Sequence, residues 1–236
     1  MLDFDFEPEL PNWAKNLAVF DLETTGLDVK TARIVTATVA TLDQNGEVTQ
    51  LNEWLVNPGI EIPQVASEVH GVTTEQARRD GADPHTAIAE IIAALTQYGQ
   101  KMPLVAFNAP YDFSILKAEA ERHSLEALDP KPVIDPLVID KQLDRYRKGK
   151  RNLGFMSEHY GIKLDDAHNS TADAVAAGRI AQALARKYKE LAADAMELHT
   201  QQSVWSDEQS ESFAQYLRKQ NRPEYRAELG WPIKLI

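Results

Sequence analysis

Cysteine is absent from the 236-residue sequence. Its absence excludes disulfide bonds, thiolate metal sites and a cysteine nucleophile. Long apolar runs are also missing, and none approaches the roughly 18 residues that a membrane-spanning helix requires. The first residues are acidic and contain no basic segment, which does not fit a secretory signal. These absences predict a cytoplasmic protein that has no membrane partner.

Basic residues are fewer than acidic ones, 25 against 36, and the formal net charge is −11. This balance argues against a protein that coats nucleic acid through bulk electrostatics. It does not exclude an enzyme that acts on nucleic acid, because metal-binding carboxylates are themselves negative and a bound cation inverts the local charge. The H-E-x-x-H motif of zinc proteases and the P-loop motif G-x-x-x-x-G-K-[ST] are both absent. Their absence disfavours those two classes of enzyme.

Apolar and alternating segments early in the chain predict three strands in a meander, with Asn45-Gly46 as the turn between the last two. These strands lie at 17–23, 33–42 and 47–56. Two short buried strands, at 103–107 and 132–134, then alternate with helices. The segment 66–80 is predicted to hold a short helix with flanking loops, and further helices are predicted at 84–98, 111–123, 136–146, 153–160, 170–198 and 206–219. This order is typical of an α/β domain with a mixed sheet flanked by helices.

The same pass along the chain predicts three regions. An N-terminal arm covers 1–14, the main domain covers 15–190, and a C-terminal helical extension and tail cover 191–236. The last region has too few apolar residues to fold alone. We therefore expect it to be an appendage that packs on the main domain or contacts a partner.

Asp21 and Glu23 are two residues apart on an apolar strand, so both carboxylates point to the same face. Two carboxylates on one face are unfavourable unless a cation lies between them. A solvated pair at a frayed strand end is the alternative, but apolar residues on both sides favour a buried strand. The turn at 24–26 contains a glycine, which lets a ligand approach the backbone closely. The pair therefore predicts a divalent metal.

Three further residues are candidates for the same site. Asp112 lies in the first turn of a predicted helix, which Asn108 is expected to cap. Asp173 lies at the start of another, in a capping box that Ser170 begins. The helix dipole alone would explain either carboxylate. His168 precedes Asp173 in a loop, where histidines are usually only solvated. The loop nevertheless brings His168 and Asp173 to one helix end, which becomes a catalytic arrangement if a metal is nearby.

Four carboxylates and one histidine suit phosphodiester hydrolysis. Two metal ions roughly 4 Å apart can bind the attacking and leaving oxygens of an in-line displacement. Oxygen ligands favour Mg²⁺ or Mn²⁺ over zinc. Histidine, whose unperturbed pKa is about 6.5, suits removal of a proton from water at neutral pH.

At these residues the chain resembles the DnaQ-like exonucleases of the DEDDh branch, a family that includes the proofreading epsilon subunit of bacterial DNA polymerase III. The resemblance rests on three segments, 19–27, 106–116 and 168–174, in the family's order and with its five-residue spacing from His168 to Asp173. It covers roughly residues 15–190. It implies a ribonuclease-H-like fold with a mixed five-stranded sheet, and a 3′→5′ exonuclease that releases nucleoside 5′-monophosphates.

The resemblance also implies residue roles. It implies that two divalent ions, Mg²⁺ or Mn²⁺, are held by Asp21, Glu23, Asp112 and Asp173. His168 is similar to the family's general base. The residues that correspond to contacts with the terminal nucleotide are Thr24, Thr25, Gly26 and Leu27, and Asn108 is similar to a polar residue beside the second-motif acid.

Two segments outside the three motifs are candidates for substrate contact. His70, in a segment similar to a substrate-side loop of the family, has either a substrate contact or a structural role. The segment 145–151 contains five basic residues in seven positions. A solvated loop is the plain explanation of such a charge run. Its place in the chain favours phosphate contact by Arg147 and Lys148.

Three functions remain open from the sequence. The first is an exonuclease on single-stranded or frayed DNA 3′ ends, with a DNA polymerase as a candidate partner. The second is a 3′→5′ exoribonuclease, and the turn at Thr24-Thr25-Gly26 favours the DNA-type members over it. The third is a non-catalytic scaffold, which the presence of all four acids and the histidine disfavours. The C-terminal region, 205–236, does not match the proofreading subunit.

Overall fold

The computed structural model describes residues 9–164 and 168–235. Within them a five-stranded sheet has the order β3-β2-β1-β4-β5. The strands are β1 Leu17–Thr24, β2 Ile34–Leu42, β3 Val48–Leu55, β4 Leu104–Val105 and β5 Val133–Ile134. Strands β1, β2 and β3 are antiparallel neighbours, whereas β4 and β5 run parallel to β1. The predicted α/β fold with a mixed five-stranded sheet is confirmed.

Eight α-helices flank the sheet within the described ranges. They are α1 Gln64–His70, α2 Thr74–Asp80, α3 Pro84–Gly99, α4 Pro110–Arg122, α5 Pro136–Leu143, α6 Leu153–His159, α7 Ser170–Lys187 and α8 Ala195–Lys219. Short 3₁₀ helices lie at Asn12–Ala14 and Lys189–Leu191. Among the described residues, none of the helices combines the length and the apolar character that crossing a membrane would require.

Strand β1 is the centre of the fold, and its first four residues, Leu17 to Phe20, are fully buried. Helices α3 and α4 cover one face of the sheet, and helix α7 covers the other. Gly178 lets α7 approach closely, because a Cβ atom there would lie 2.5 Å from side-chain atoms of both Val19 and Leu42. This close packing fixes the distance between α7, including its N-terminus, and strand β1.

Three predicted helices differ from the structure. Segment 66–80 forms two helices, because Gly71, with φ +77°, ends α1 and the Thr73 side chain caps α2. The helix predicted at 170–198 ends at Lys187, and α8 begins at 195, where the Asp194 side chain accepts a hydrogen bond from Met196 N–H. Helix α8 therefore runs without a break through 206, where a new helix was predicted.

Helix α8 covers the open edge of the sheet at β5. Val133 N–H donates to His199 Nδ1 over 3.1 Å, and the Gln202 amide donates to Val133 O over 3.0 Å. Trp231, from the tail, is buried against the His199 ring at 5.0 Å between centroids. Side chains thus satisfy backbone groups that an uncovered edge strand would expose.

Candidate active site

Asp21 and Glu23 lie on the same face of β1, opposite Thr38 and Thr36 of β2. Both side chains are half-buried. The register between β1 and β2 shifts after Glu23, so the regular strand ends at the site. The period-two argument from the sequence therefore places these two carboxylates together at the carboxyl end of a central strand.

Asp112 is fixed between them by a backbone contact. Its Oδ1 accepts a hydrogen bond from Leu22 N–H over 3.1 Å, and its side chain is buried. Helix α4 is held in this position at its start by Asp135, whose two carboxylate oxygens accept from Asn108 N–H and Ala109 N–H. The predicted capping of α4 by Asn108 is wrong, since Asn108 has φ +61° and the cap residue makes no side-chain hydrogen bond.

Helix α7 brings Asp173 to the same place. Its cap is Asn169, whose side chain accepts from Thr171 N–H and Ala172 N–H, and not Ser170 as the sequence pattern suggested. The Ser170 hydroxyl instead lies 2.9 Å from that of Thr38, which fastens the start of α7 to β2. His168, exposed and with φ +70°, donates its backbone N–H to Asp173 Oδ2 over 3.3 Å.

Burial and neighbouring carboxylates raise the pKa of Asp21, Glu23 and Asp112. Burial, and then the charges of Asp112, Asp173 and Glu23, raise the pKa of Asp21 well above its ordinary value. Burial and the charge of Asp173 raise the pKa of Glu23 to about 7. Burial also raises the pKa of Asp112, although the hydrogen bond from Leu22 opposes the shift. Such a cluster is stable in its ionised form only when a cation compensates the charge.

The donor set fits a divalent metal. Ligand atoms of Glu23, His168 and Asp173 all lie within 4.8 Å of one another. The carboxylates of Asp21 and Asp112 add further oxygen donors, the type that Mg²⁺ and Mn²⁺ prefer. His168 is thus close enough to be either a metal ligand or a base beside the metal. An acidic cluster of this composition can hold a metal ion.

The turn at 24–27 is held in place by hydrogen bonds and begins with two buried threonines. The Tyr111 hydroxyl lies 2.6 Å from that of Thr24 and donates to the Gly26 carbonyl over 2.9 Å. Thr25 exchanges hydrogen bonds with Arg33. Leu27 is 87% exposed, a large apolar side chain with no cover. Tyr111 was not expected to have a role from the sequence, although its position next to Asp112 was a usable signal.

His70 lies beside this turn. Its Nδ1 accepts a hydrogen bond from Val72 N–H over 3.2 Å. Burial lowers the pKa of His70, and a hydrogen bond with the backbone of Thr24 opposes the shift. The ring therefore lies beside the predicted substrate turn, and its role, a substrate contact or a structural one, stays a prediction.

Arg147 faces the protein and not the solvent. Its side chain is 11% exposed, and its guanidinium lies 2.7 Å from Asp140 and 3.7 Å from Asp144. Arg151 also pairs with Asp140, and Tyr160 donates to that carboxylate over 2.6 Å. These contacts favour a structural role for Arg147, whereas Lys148 is exposed. Phosphate contact stays a prediction for Lys148.

Several known proteins are similar to this chain in sequence. The exonuclease family RNase_T matches residues 18–181. The DNA polymerase III PolC-type of Streptococcus thermophilus is 31% identical over 163 residues, 69% of this chain and 10% of that protein. That of Streptococcus mutans is 30% identical over 173 residues, 73% of this chain and 11% of that protein. The chain thus spans about a tenth of the length of these relatives.

Solved structures show the same architecture. E. coli exonuclease I in complex with a dA16 oligonucleotide has a TM-score of 0.63 at 17% identity, over 75% of this chain and 42% of that one. The nuclease domain of 3′hExo, a DEDDh family member bound to rAMP, has a TM-score of 0.62 at 17% identity, over 73% of this chain and 92% of that one. The resemblance to the DnaQ-like (DEDDh) enzymes is confirmed, and the chain belongs to this family of 3′→5′ exonucleases.

Proposed function

We propose that the chain removes nucleotides from the 3′ ends of single-stranded or frayed DNA and releases nucleoside 5′-monophosphates. The observation that carries the proposal is the convergence of Asp21, Glu23, Asp112 and Asp173 at one strand end, where burial and neighbouring carboxylates raise the pKa of the first three. These four carboxylates hold two divalent ions, Mg²⁺ or Mn²⁺. When bound, the ions supply a Lewis acid for the phosphodiester and lower the pKa of an attacking water.

The chain's own residues orient the reaction. His168 is exposed at the mouth of the site and takes the proton of the attacking water. Its backbone hydrogen bond to Asp173 keeps the base beside a metal-binding carboxylate. The turn Thr24-Thr25-Gly26 presents backbone groups to the terminal nucleotide, and the exposed Leu27 packs against its base. Asn108 and Lys148 contact the phosphates that precede it.

DNA is the proposed substrate because two kinds of similar protein act on or bind it by their names, the PolC-type DNA polymerases and E. coli exonuclease I with dA16. RNA is the second candidate. The observation that favours RNA is the 3′hExo nuclease domain with bound rAMP, of which the chain covers 92%. The catalytic groups are the same in both cases, so the choice depends on how the site receives the ribose 2′-hydroxyl.

One digestion experiment tests the proposal. The protein is incubated with Mg²⁺ or Mn²⁺ and 5′-labelled DNA and RNA oligonucleotides of matched sequence, single- and double-stranded, and products are sized. We expect a ladder that shortens from the 3′ end, faster on single-stranded DNA. The Asp21→Asn variant and a chelator each stop the reaction. A fragment pattern that is internal from the first time point, or full activity of Asp21→Asn, contradicts the proposal.

A further inference from the structure

A groove of about 710 Å³ lies between helix α5, the second half of helix α8 and the C-terminal tail. Its volume is in the range of about 300–1,000 Å³ that is usual for ligand sites. The lining residues that bear on its role are Asn108, Lys141, Arg145, Phe213 and Tyr216. The α8 wall lies beyond residue 181, where the family match ends. The groove is therefore built partly from a segment outside the family match.

The groove and the active site lie at the same edge of the sheet. Parallel strands bring their carboxyl ends to the same sheet edge, and ligands bind at that edge. The carboxylates stand at the end of β1, whereas the groove lies at the ends of the parallel strands β4 and β5. Asn108, which follows β4, lines the groove, and Asp112 begins the next turn of chain. Asp135, which follows β5, holds Asn108 in place through its backbone N–H.

Two cations in the groove form no ion pair among the described residues, although the carboxylates of Asp135 and Asp140 are close enough to Lys141 to raise its pKa against the effect of burial. Lys141 and Arg145 are exposed, and neither forms an ion pair with any residue in 9–164 or 168–235. Arg147, two residues further on, is by contrast held by Asp140. Three carboxylates also line the groove, those of Asp135, Glu208 and Glu228. Asp135 accepts hydrogen bonds from backbone N–H groups, and Glu228 is paired with Lys234 at 2.6 Å. In a chain of net charge −11, two unpaired cations in one groove indicate an anionic ligand.

Two aromatic rings face the same groove from α8. Phe213 and Tyr216 are 52% and 56% exposed, and their spacing of three places them on one side of the helix. Phe213 is steadied by Tyr225, which meets its ring edge-on at 5.9 Å. Exposed aromatic faces beside cations are the arrangement on which bases stack while the phosphates lie along the basic residues.

We propose that this groove binds the nucleotides that precede the cleaved one in a single-stranded substrate, with bases on Phe213 and Tyr216 and phosphates at Lys141 and Arg145. The inference rests on the proposed function. It assigns to α8 the task of holding the strand after each cleavage, so that long substrates are degraded more efficiently than short ones. A dinucleotide is too short to reach the groove and is cleaved without it.

The test measures kcat/KM on single-stranded substrates from the dinucleotide to about 12 nucleotides, a span that includes typical single-strand site sizes. For the wild type, kcat/KM rises with length. The Tyr216→Leu and Phe213→Leu variants lose about 10-fold on long substrates, the size expected when one stacking interaction is removed. Tyr216→Phe, which keeps the aromatic face, matches the wild type. All three cleave the dinucleotide at the wild-type rate.

The role of the two cations is tested with matched double variants. Lys141→Ala/Arg145→Ala makes the salt dependence of long-substrate binding shallower, by about 0.7 in the log–log slope for each phosphate that is no longer neutralised. Lys101→Ala/Lys189→Ala removes the same charge outside the groove and leaves that slope unchanged. Equal length dependence in the leucine variants and the wild type overturns the groove assignment, and an unaltered slope overturns the pairing of phosphates with the two cations. If the wild type degrades no oligonucleotide at all, the proposed function itself fails.

Discussion

The Leu22 backbone N–H donates a hydrogen bond to Asp112 Oδ1 over 3.1 Å. Since Leu22 stands between Asp21 and Glu23, this single bond fixes a helix carboxylate between two strand carboxylates. It also joins the second motif of the chain to the first across 90 residues. The strand backbone therefore holds the site together. An amide oxygen in place of the Asp112 carboxylate could accept the same hydrogen bond from Leu22 N–H.

The first prediction follows from that replacement. Asp112→Asn keeps an oxygen that accepts from Leu22 N–H, so the fold is retained while the negative charge is lost. We expect kcat to fall by a factor on the order of 10²–10³, as when one transition-state-stabilising group is removed. Asp129→Asn, an acid-to-amide change at an exposed position outside the site, is the control. In a chelator, Asp112→Asn should melt no lower than the wild type, because it removes a charge from the cluster, and Asp129→Asn should melt with the wild type. Wild-type turnover by Asp112→Asn would remove Asp112 from the metal site.

The second prediction concerns pH. The raised pKa values of Asp21, Glu23 and Asp112 mean that the folded protein binds protons more tightly than the unfolded chain. The stability this gives is present below the ordinary carboxyl pKa and is lost as pH rises through the folded value, about 7 for Glu23. The free energy of unfolding of the metal-free protein should therefore fall from about pH 5 to about pH 8.

Urea unfolding in a chelator measures that fall. Glu23→Gln should make it shallower, because the amide does not titrate. Saturating Mg²⁺ should restore stability most at the alkaline end, since the metal binds the ionised carboxylates and only in the folded state. A metal-free protein that becomes more stable over this pH range would contradict the arrangement of the cluster.

The third prediction separates positioning from stability. Tyr111→Phe removes the hydroxyl that bonds to Thr24 and Gly26 and costs about 1 kcal/mol. Because this hydroxyl holds the substrate turn, KM for oligonucleotides should rise several-fold. Tyr98→Phe is the matched control, since its hydroxyl bonds to Gln50 over 2.7 Å on the far strand. It should lose similar stability with unchanged KM, and equal KM effects in both would assign Tyr111 to stability alone.

How far the sequence anticipated the site depends on the range of the interaction. The alternation of side chains along a β-strand places Asp21 and Glu23 on one face, and this rule needs only neighbouring residues. The partner of Asp112 was not predictable, since Leu22 is distant along the chain. Ser170 was expected to cap its helix, yet Thr38 of β2 engages its hydroxyl and Asn169 takes the cap. Tertiary contact decided each of these cases.

Charge runs show the same limit. The basic segment at 145–151 was predicted to be a surface for phosphates, but composition does not give the direction of a side chain. Arg147 and Arg151 turn inward because Asp140, buried and on α5, accepts both. The break between helices α7 and α8 at 188–194 was not predicted either, because the apolar pattern continues through it while Asp194 caps a new helix. The sheet, built from short apolar segments that are buried, was the most predictable part.

The fourth prediction tests the helix α7 contact. Gly178→Ala places a Cβ 2.5 Å from atoms of Val19 and Leu42, which forces α7 outward. We expect a loss of about 1–3 kcal/mol from overpacking, together with reduced kcat because Asp173 moves with the helix. Gly154→Ala in α6 is the control, since its Cβ meets nothing within 4 Å. It should leave kcat unchanged and keep or raise stability; a neutral Gly178→Ala contradicts the close packing.

The fifth prediction assigns different roles to Arg147 and Lys148, which the sequence analysis treated together as phosphate contacts. Arg147→Ala leaves the carboxylate of Asp140 with one partner fewer in a buried network, so it should cost about 3 kcal/mol in urea unfolding. Lys148→Ala should leave stability unchanged and make oligonucleotide binding less salt-dependent by about 0.7 in the log–log slope. The salt slope is measured on protein that is still folded at low temperature. A stable Arg147→Ala variant with a reduced slope would reverse the two roles and return Arg147 to the phosphates.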